Sequence, residues 1–155
     1  MASEPPPRIF VDADGCPVKQ EVYRVARRHE ARVTLVANSR MRVPEADGIE
    51  LVVVGGRFDA ADDWIVDHVG ENDIVVTGDI PLASRCLPKG GQVIDHRGAA
   101  FSPESIGDAL ASRELMSHLR DMGGITGGPS TFQNKDRSRF LHRLDETILA
   151  SRHKP

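Results

Sequence analysis

The chain has 155 residues and a formal net charge of -3, with 39 % hydrophobic and only 5 % aromatic residues. This length fits one domain and excludes a multidomain protein. A domain of this size buries roughly 68–70 % of its unfolded surface, so it needs no disulfide or structural metal to fold. No apolar run approaches the roughly 18 residues of a membrane helix. The weakly acidic balance is unlike that of proteins that coat duplex nucleic acid.

Cysteine usage and the N-terminus predict the compartment. Cys16 and Cys86 lie outside any CxxC or Cys/His cluster, and the N-terminus has no charged segment followed by an apolar one. We therefore expect a cytoplasmic protein without a disulfide partner. Residues 1–7 (MASEPPP) are small, polar and proline-rich, which predicts a disordered leader before a single domain over 8–155.

Short apolar runs alternate with helical patterns along the chain. The β-branched runs predict five strands, at Ile9–Val11, Val33–Ala37, Ile49–Val54, Asp73–Thr77 and Gln92–Ile94. Apolar residues at helical spacing predict three helices between them, at Val18–His29, Asp59–Val69 and Leu82–Leu87. This alternation predicts a mainly parallel five-stranded sheet with helices on both faces, a three-layer α/β/α (Rossmann-like) fold.

Two further helices follow the last predicted strand. A serine and a proline open the first over Glu104–Met122, and a glycine pair ends it. The glycine-rich segment Gly123–Phe132 is expected to be a hinge, with phosphate binding by its backbone as the alternative. The last helix is predicted over Gln133–Ala150, and we expect its apolar side to pack on the sheet or on a second subunit in a homodimer.

Carboxylates follow two of the predicted strands. Asp12 and Asp14 end the first strand, and Asp79 follows the fourth. With a strand order of 3-2-1-4-5, strands one and four are neighbours where the order reverses, and ligands bind at the carboxyl ends of the strands there. Asp59, Asp62 and Asp63 lie in the first turn of the helix after strand three, at a spacing that lets Asp62 and Asp63 each share a face with Asp59.

Carboxylates that converge on one pocket repel one another unless a cation neutralises them or some of them take up protons. A hard divalent ion meets that need, because Mg²⁺ or Mn²⁺ prefers oxygen ligands and leaves positions for a phosphate and a water. The strand ends and the helix start bring several carboxylates toward this pocket, among them Asp12, Asp14, Asp62 and Asp79. A structural role stays open for the residues of the helix start, since Asp59 is a natural N-cap and Asp62 favours the helix dipole.

Longer motifs give the chain a family resemblance. The runs IFVDADGCP, RFDAAD, VVTGDIPLA and TGGP together resemble the bacterial YaiI/YqxD family, over nearly the whole chain from Arg8 onward. That family in turn resembles PIN-like metal-dependent ribonucleases, in which an Asp follows strand one and a T-x-D follows strand four. The resemblance matches Asp12 to the first Asp, and it matches Thr77 and Asp79 to the T-x-D.

The resemblance implies hydrolysis of phosphodiester bonds, in RNA, with the help of one or two Mg²⁺ or Mn²⁺ ions. Asp12 and Asp79 would hold the metal, which lowers the pKa of its bound water. The residues implied to bind a second ion or to orient the attacking water are Asp14, Asp59 and Asp62. The PIN pattern has another acidic residue near strand five, for which this chain offers only Asp95.

Polar and cationic residues near the carboxyl ends of the predicted strands are candidates for contacts with a nucleic acid. Arginine suits bidentate binding of phosphate, although a solvated surface role stays open for this set. The candidate substrate-binding residues are Asn38, Arg40, Arg42, Arg57, Thr77 and Arg85. A second basic run, from Lys135 to Arg143, shares the last helix with Asp136, Asp145 and Glu146, which predicts a salt-bridged helix face instead.

Two other functions stay open. Asp12 to Gly15 is similar to the DxDG motif of haloacid-dehalogenase-like phosphatases, with Asp12 as the nucleophile and Asp14 as the acid/base. That superfamily also uses a later lysine, and residues 20–88 contain none. The other alternative is a non-catalytic RNA- or nucleotide-binding module on a PIN-like scaffold, in which the few aromatic residues argue against base stacking.

Overall fold

The computed structural model describes residues 6–57, 59–123 and 131–152. Across these residues the strands are β1 (Ile9–Asp12), β2 (Val33–Ala37), β3 (Ile49–Val53), β4 (Ile74–Val76), β5 (Gln92–Ile94) and β6 (Ala100–Phe101). The α-helices of the same residues are α1 (Lys19–His29), α2 (Ala60–His68), α3 (Ile80–Cys86), α4 (Ile106–Asp121) and α5 (Asn134–Arg152). A short 3₁₀ turn, Leu87–Lys89, follows α3.

The strands form one sheet in the order β3-β2-β1-β4-β5-β6. The first five strands in this sheet are parallel, as predicted, and β1 lies between β2 and β4. The prediction of five strands was one short, because β6 pairs antiparallel with β5 at the sheet edge. A strand of two residues carries no alternating apolar pattern, so the sequence had no periodic signal for β6.

Alternate residues of each strand face opposite layers of helices, as the two-residue period of a strand requires. Ile9 and Val11 of β1 belong to one buried cluster, together with residues of α1 and α5. Phe10 of β1 and Val75 of β4 belong to the other cluster, together with residues of α2 and α3. The three-layer α/β/α prediction is therefore confirmed. The two free cysteines, Cys16 and Cys86, are both buried, one in each cluster.

Helix α4 is the least buried helix of the described residues. It begins at Ile106, two residues later than predicted, because Ser102 and Ser105 hydrogen-bond one another and form a turn before it. None of its residues is buried, and Leu115 is 58 % exposed. The sequence pattern predicted the helix correctly but carried no information on how little of it would be covered.

Helix α5 packs on the sheet, which confirms one of the two surfaces expected for its apolar side. Phe140, Leu144 and Ile148 are fully buried there, whereas Leu149 at the predicted apolar side is 42 % exposed. Much of the predicted hinge (124–130) and most of the predicted leader (1–5) lie outside the described residues. Pro7, assigned to the leader, is buried. Among the helices described, none has the length and apolar character needed to span a membrane.

A candidate acidic site at the carboxyl edge of the sheet

The site begins at the ends of the two central strands, β1 and β4. The Thr77 hydroxyl donates a hydrogen bond to Asp12 Oδ2 at 2.8 Å and accepts one from the Asp79 backbone N–H at 3.0 Å. Asp79 is the N-cap of α3, and its Oδ1 accepts from the Leu82 N–H at 3.0 Å. One buried hydroxyl thus ties together the two turns that were predicted to converge.

Two carboxylates of this site are electrostatically strained. Burial raises the pKa of Asp12, the charges of Asp79 and Asp14 raise it further, and the hydrogen bond from Thr77 opposes them. Burial also raises the pKa of Asp62 to about 6, with further increases from Asp79 and Asp12 and an opposing effect of Arg85. Asp12, Asp62 and Asp79 therefore lie within electrostatic range of one another, on three different elements of the fold.

Asp14 lies in the turn after β1, on the exposed side of the site. Its Oδ2 accepts a hydrogen bond from the Asn38 backbone N–H at 2.8 Å, which joins this turn to the loop after β2. Gly15 follows with a φ of +74°, a conformation that favours glycine and reverses the chain toward α1. Asp14 and Asn38, both predicted for the site, thus lie side by side at its margin.

The start of α2 divides the predicted acidic residues into two groups. Asp63 is engaged by Arg57 and by Arg85, whose Nη2 lies 2.9 Å from Asp63 Oδ1. Asp59 is the N-cap residue by position but makes no side-chain cap hydrogen bond, and its carboxylate lies 3.7 Å from Arg57 Nε. Asp62 forms no ion pair or hydrogen bond with the described residues, so it is the residue of this turn that contributes an unneutralised charge to the site.

The predicted substrate-binding residues have different surroundings. Arg57 and Arg85 lie beside the acidic residues and remain 70 % and 45 % exposed in their side chains. Arg40 and Arg42 are exposed on the segment after β2, and the structure gives them no hydrogen bond or ion pair with another described residue. Thr77 is fully buried with its hydroxyl occupied on both sides, so it orients Asp12 instead of facing a substrate.

Asp95 is a turn residue and does not join the acidic group. Its Oδ1 accepts hydrogen bonds from the backbone N–H groups of Arg97 and Ala99, at 2.8 and 2.9 Å, and so closes the hairpin between β5 and β6. The acidic residue at position 95 is therefore explained by an Asx-type turn and not by a fourth position in the acidic group.

His96 is a residue beside the site that the sequence analysis missed. A Cβ atom at Gly78 would lie 3.4 Å from His96 Nδ1, so the imidazole packs against the turn between Thr77 and Asp79. His96 Nε2 is buried and has no hydrogen-bond partner among the described residues. Burial lowers the pKa of His96. No spacing in the sequence links His96 to the turn after β4, so only the strand order reveals this contact.

The donor set fits a hard divalent cation that keeps part of its water shell. Asp12, Asp14 and Asp79 each have one carboxylate oxygen in a hydrogen bond, and their other oxygens have no partner among the described residues. Within the described ranges, however, no three His, Cys, Asp or Glu side chains form a group that could hold a metal by itself. Mg²⁺ is commonly held by one or two carboxylates together with substrate phosphates, which is the arrangement these residues fit.

Comparison with known proteins identifies a family but no activity. The model of the family described as "Uncharacterized BCR, YaiI/YqxD family" matches residues 10–150. A UPF0178 protein of Rhodospirillum centenum is 54 % identical over 148 residues, which cover 93 % of this chain and 96 % of that protein. A UPF0178 protein of Rhodopseudomonas palustris (strain HaA2) is 55 % identical over 148 residues, which cover 96 % and 90 % of the two chains. No solved structure matches the chain.

Proposed function

The chain belongs to the YaiI/YqxD family, and we propose that it is a nuclease that hydrolyses RNA phosphodiester bonds with the help of Mg²⁺ or Mn²⁺. The observation that carries the proposal is the unneutralised group formed by Asp12, Asp62 and Asp79. Repulsion within this group contributes to the raised pKa values of Asp12 and Asp62. A bound divalent cation would offset the negative charges that repel one another. The charged forms of the carboxylates would then be favoured.

The location of the group supports a catalytic role. Asp12 ends β1 and Asp79 follows β4, where the strand order of a parallel sheet reverses, and open α/β folds bind their ligands there. Ion pairs neutralise Asp63, only one residue from Asp62, so the missing partner of Asp62 is not explained by a general shortage of arginines. Burying a carboxylate even in part is costly when no partner compensates its charge, so a purely structural role does not explain the half-buried positions of Asp12 and Asp62.

The residues of the group have separate tasks in the proposed reaction. Asp12 and Asp79 would hold the cation through the oxygens that are free of hydrogen bonds, and the Thr77 hydroxyl keeps Asp12 in position. Asp62 and Asp14 would orient the attacking water or hold a second ion, and Arg57 and Arg85 would contact the phosphate. The cation, when bound, supplies an activated water and offsets the charge that develops on the phosphate.

The first experiment measures cleavage of a 5′-labelled single-stranded RNA by the purified protein in Mn²⁺ or in EDTA. We expect cleavage only with the metal, and we expect Asp12→Asn and Asp79→Asn to reduce it by more than about 100-fold. Even the outer partners of metal ligands are usually worth about 10–100-fold. Asp67→Asn is the matched control, because Asp67 is an exposed residue of α2 without an ion pair among the described residues.

Metal binding is measured on the same variants by the thermal shift that Mn²⁺ causes. A ligand that binds only the folded state raises its stability by mass action, so the wild type and Asp67→Asn should show a higher melting temperature with Mn²⁺. Asp12→Asn and Asp79→Asn should not. Cleavage that persists in folded Asp12→Asn at the wild-type rate would overturn the proposal.

The second candidate is an RNA- or nucleotide-binding module without catalysis. It is favoured by the finding that the described residues form no group of three metal ligands without help from a bound molecule. In that case RNA should bind equally well in EDTA and in Mn²⁺, and it should remain intact during the assay. Binding by Asp12→Asn at wild-type affinity, together with no cleavage by any variant or by the wild type, would support this candidate.

A further inference from the structure

The outward face of α5 is a second charged surface of the molecule. Phe140, Leu144 and Ile148 bury one side of this helix against the sheet, so the opposite side faces away from the core. In a helix, residues three, four and seven positions apart share a face. We call the exposed cations on the outward side and its margin the α5 basic face: Lys135, Arg139 and Arg143.

The acids of α5 do not neutralise this face. Asp136 is buried, and its Oδ2 lies 3.1 Å from Arg97 Nη1. Asp145 lies on the side of the helix that meets α1, where its Oδ1 is 2.6 Å from His29 Nε2 and 3.1 Å from Arg28 Nη1. Asp136 and Asp145 thus pair with residues of neighbouring elements, and not with the basic run of α5 as the sequence predicted.

The cations of the α5 basic face keep their charges available. Lys135 and Arg139 form no hydrogen bond or ion pair through their side chains with other residues in the described ranges. Arg143 uses its Nε to donate to the Gly98 carbonyl oxygen at 3.1 Å, and no carboxylate of the described residues forms an ion pair with it. The one acid on this side, Glu146, lies 3.7 Å from His142.

The N-terminal half of α5 is attached to two turns that lie at the carboxyl edge of the sheet. Arg137 donates a hydrogen bond to the Pro17 carbonyl oxygen, just after the turn that carries Asp14. Gly98, in the turn after β5, lies so close to α5 that a Cβ atom there would be 2.7 Å from the Arg139 carbonyl carbon. The α5 basic face therefore lies beside the edge that carries the acidic group.

We propose that the α5 basic face binds the phosphate backbone of the RNA substrate and leads it to the acidic group. This inference rests on the proposed function and names the surface that holds the substrate. An acidic site repels a polyanion, so binding needs cations near the site that no carboxylate neutralises. The helix rises about 12 Å from Lys135 to Arg143, which matches several nucleotides of a strand that rises about 3.4 Å each.

Backbone contact also fits the composition of the surface. Single-stranded nucleic acids are commonly bound by aromatic side chains that stack on the bases. The exposed side of α5 carries no Phe, Tyr or Trp among the described residues, and the pocket between α5 and the turn after β5 is lined on the helix side by Arg139, His142, Arg143 and Glu146. A surface of this kind binds phosphates without reading the sequence of the bases.

The test is fluorescence anisotropy with a labelled single-stranded oligouridylate in EDTA, so that no cleavage occurs. The variant Lys135→Gln/Arg139→Gln should raise the Kd about tenfold at low salt and reduce the slope of log Kd against log salt by about 1.4, since each lost phosphate contact is worth about 0.7 on single strands. The matched control is Arg24→Gln/Arg27→Gln, which removes two exposed arginines of α1 and changes the net charge equally. We expect wild-type affinity from it.

Three outcomes would overturn the inference. They are no binding of the RNA by the wild type in EDTA, equal weakening by the two double variants, and displacement of the RNA by polyglutamate at equal concentrations of negative charge. The last would indicate an acidic protein partner. Asp12→Asn separates this inference from the proposed function: wild-type RNA affinity with lost cleavage supports both, whereas binding through α5 without cleavage by the wild type supports the surface and rejects the nuclease.

Discussion

Buried carboxylates at the two edges of the sheet have opposite surroundings. Asp73, at the amino edge before β4, is 6 % exposed, and its carboxylate accepts hydrogen bonds from two nitrogens of Arg8 and from the Gly70 N–H. Asp12, at the carboxyl edge, is half-buried, and the Thr77 hydroxyl is its hydrogen-bond donor among the described residues. The same residue type is thus neutralised at one edge and left charged at the other.

The difference shows how a structural carboxylate is told from a functional one. Burying a charge is costly unless a partner compensates it, so a complete set of donors accounts for Asp73 as part of the fold. Asp12 and Asp62 lack such a set: among the described residues Asp12 has a single donor, the Thr77 hydroxyl, and Asp62 has none. Strain of this kind is common at sites where a ligand supplies the missing partner.

The largest effect on stability is expected at Gly98, where the turn after β5 packs against the backbone of α5 at the carboxyl edge of the sheet. Gly98 has a φ of +88°, and a Cβ atom there would lie 2.7 Å from the Arg139 carbonyl carbon and oxygen. Gly98→Ala should therefore cost about 2–4 kcal/mol, the sum of left-handed strain and overpacking against backbone. Urea unfolding at neutral pH measures this cost. Gly107→Ala on α4 is the control, since nothing lies near a Cβ atom there.

Removing the charge of Asp73 tests the amino edge. Asp73→Asn leaves Arg8 without its ion-pair partner and weakens the three hydrogen bonds, so we expect a loss of about 2–3 kcal/mol, less than a fully buried pair because Arg8 is 55 % exposed. Asp12→Asn should change the free energy of unfolding by less than about 1 kcal/mol. Equal losses in both variants, measured by urea unfolding, would remove the distinction between the two edges.

Asp62 should make the carboxyl edge more stable in acid. Its pKa in the folded protein is about 6, above the ordinary 3.8, so the folded state binds the proton more tightly than the unfolded state. This contribution is present below about pH 4 and is lost as the pH rises to about 6. Asp62→Asn should therefore be more stable than the wild type at pH 7, by about 1 kcal/mol after allowance for its partial exposure, and equal to it near pH 4.

The measurement is the melting temperature of both proteins across this pH range in EDTA. Asp67→Asn, on the exposed side of the same helix, should follow the wild type at every pH. A wild-type stability that does not fall between pH 4 and 6 relative to Asp62→Asn would show that Asp62 is not strained in the free protein.

The sequence predicted the parallel strands and the turns that carry Asp12 and Asp79, because short β-branched runs that alternate with helical patterns are a local signal of a parallel sheet. The strand order that was assumed for such a sheet is the observed one, with β6 added at the edge. The spacing of the residues by itself does not separate Asp62, which was predicted for the site, from Asp63. These neighbours have the same chemistry, and only the positions of Arg57 and Arg85 neutralise one and leave the other charged. Contacts between distant parts of the chain have no local signal, which is also why the packing of His96 against the turn at Gly78 was not predicted.

The smallest effect is expected at the ion pair between α1 and α5, on the neutralised side of the molecule. The hydrogen bond from His29 is the largest cause that lowers the pKa of Asp145, with further effects of His29 and Arg28. A lowered pKa gives stability that is present above about pH 4 and is lost as the pH falls through the folded value, the reverse of Asp62. Asp145→Asn should cost less than about 1 kcal/mol at pH 7, because the Arg28 side chain of this pair is 52 % exposed, and the cost should shrink as the pH falls. Melting curves of Asp145→Asn and Asp62→Asn, each compared with the wild type across the pH range, test this contrast. If both differences change with pH in the same direction, charge pairing does not distinguish the two regions. Changes in opposite directions would mean that acid weakens the contact between α1 and α5 while it reduces the repulsion in the acidic group.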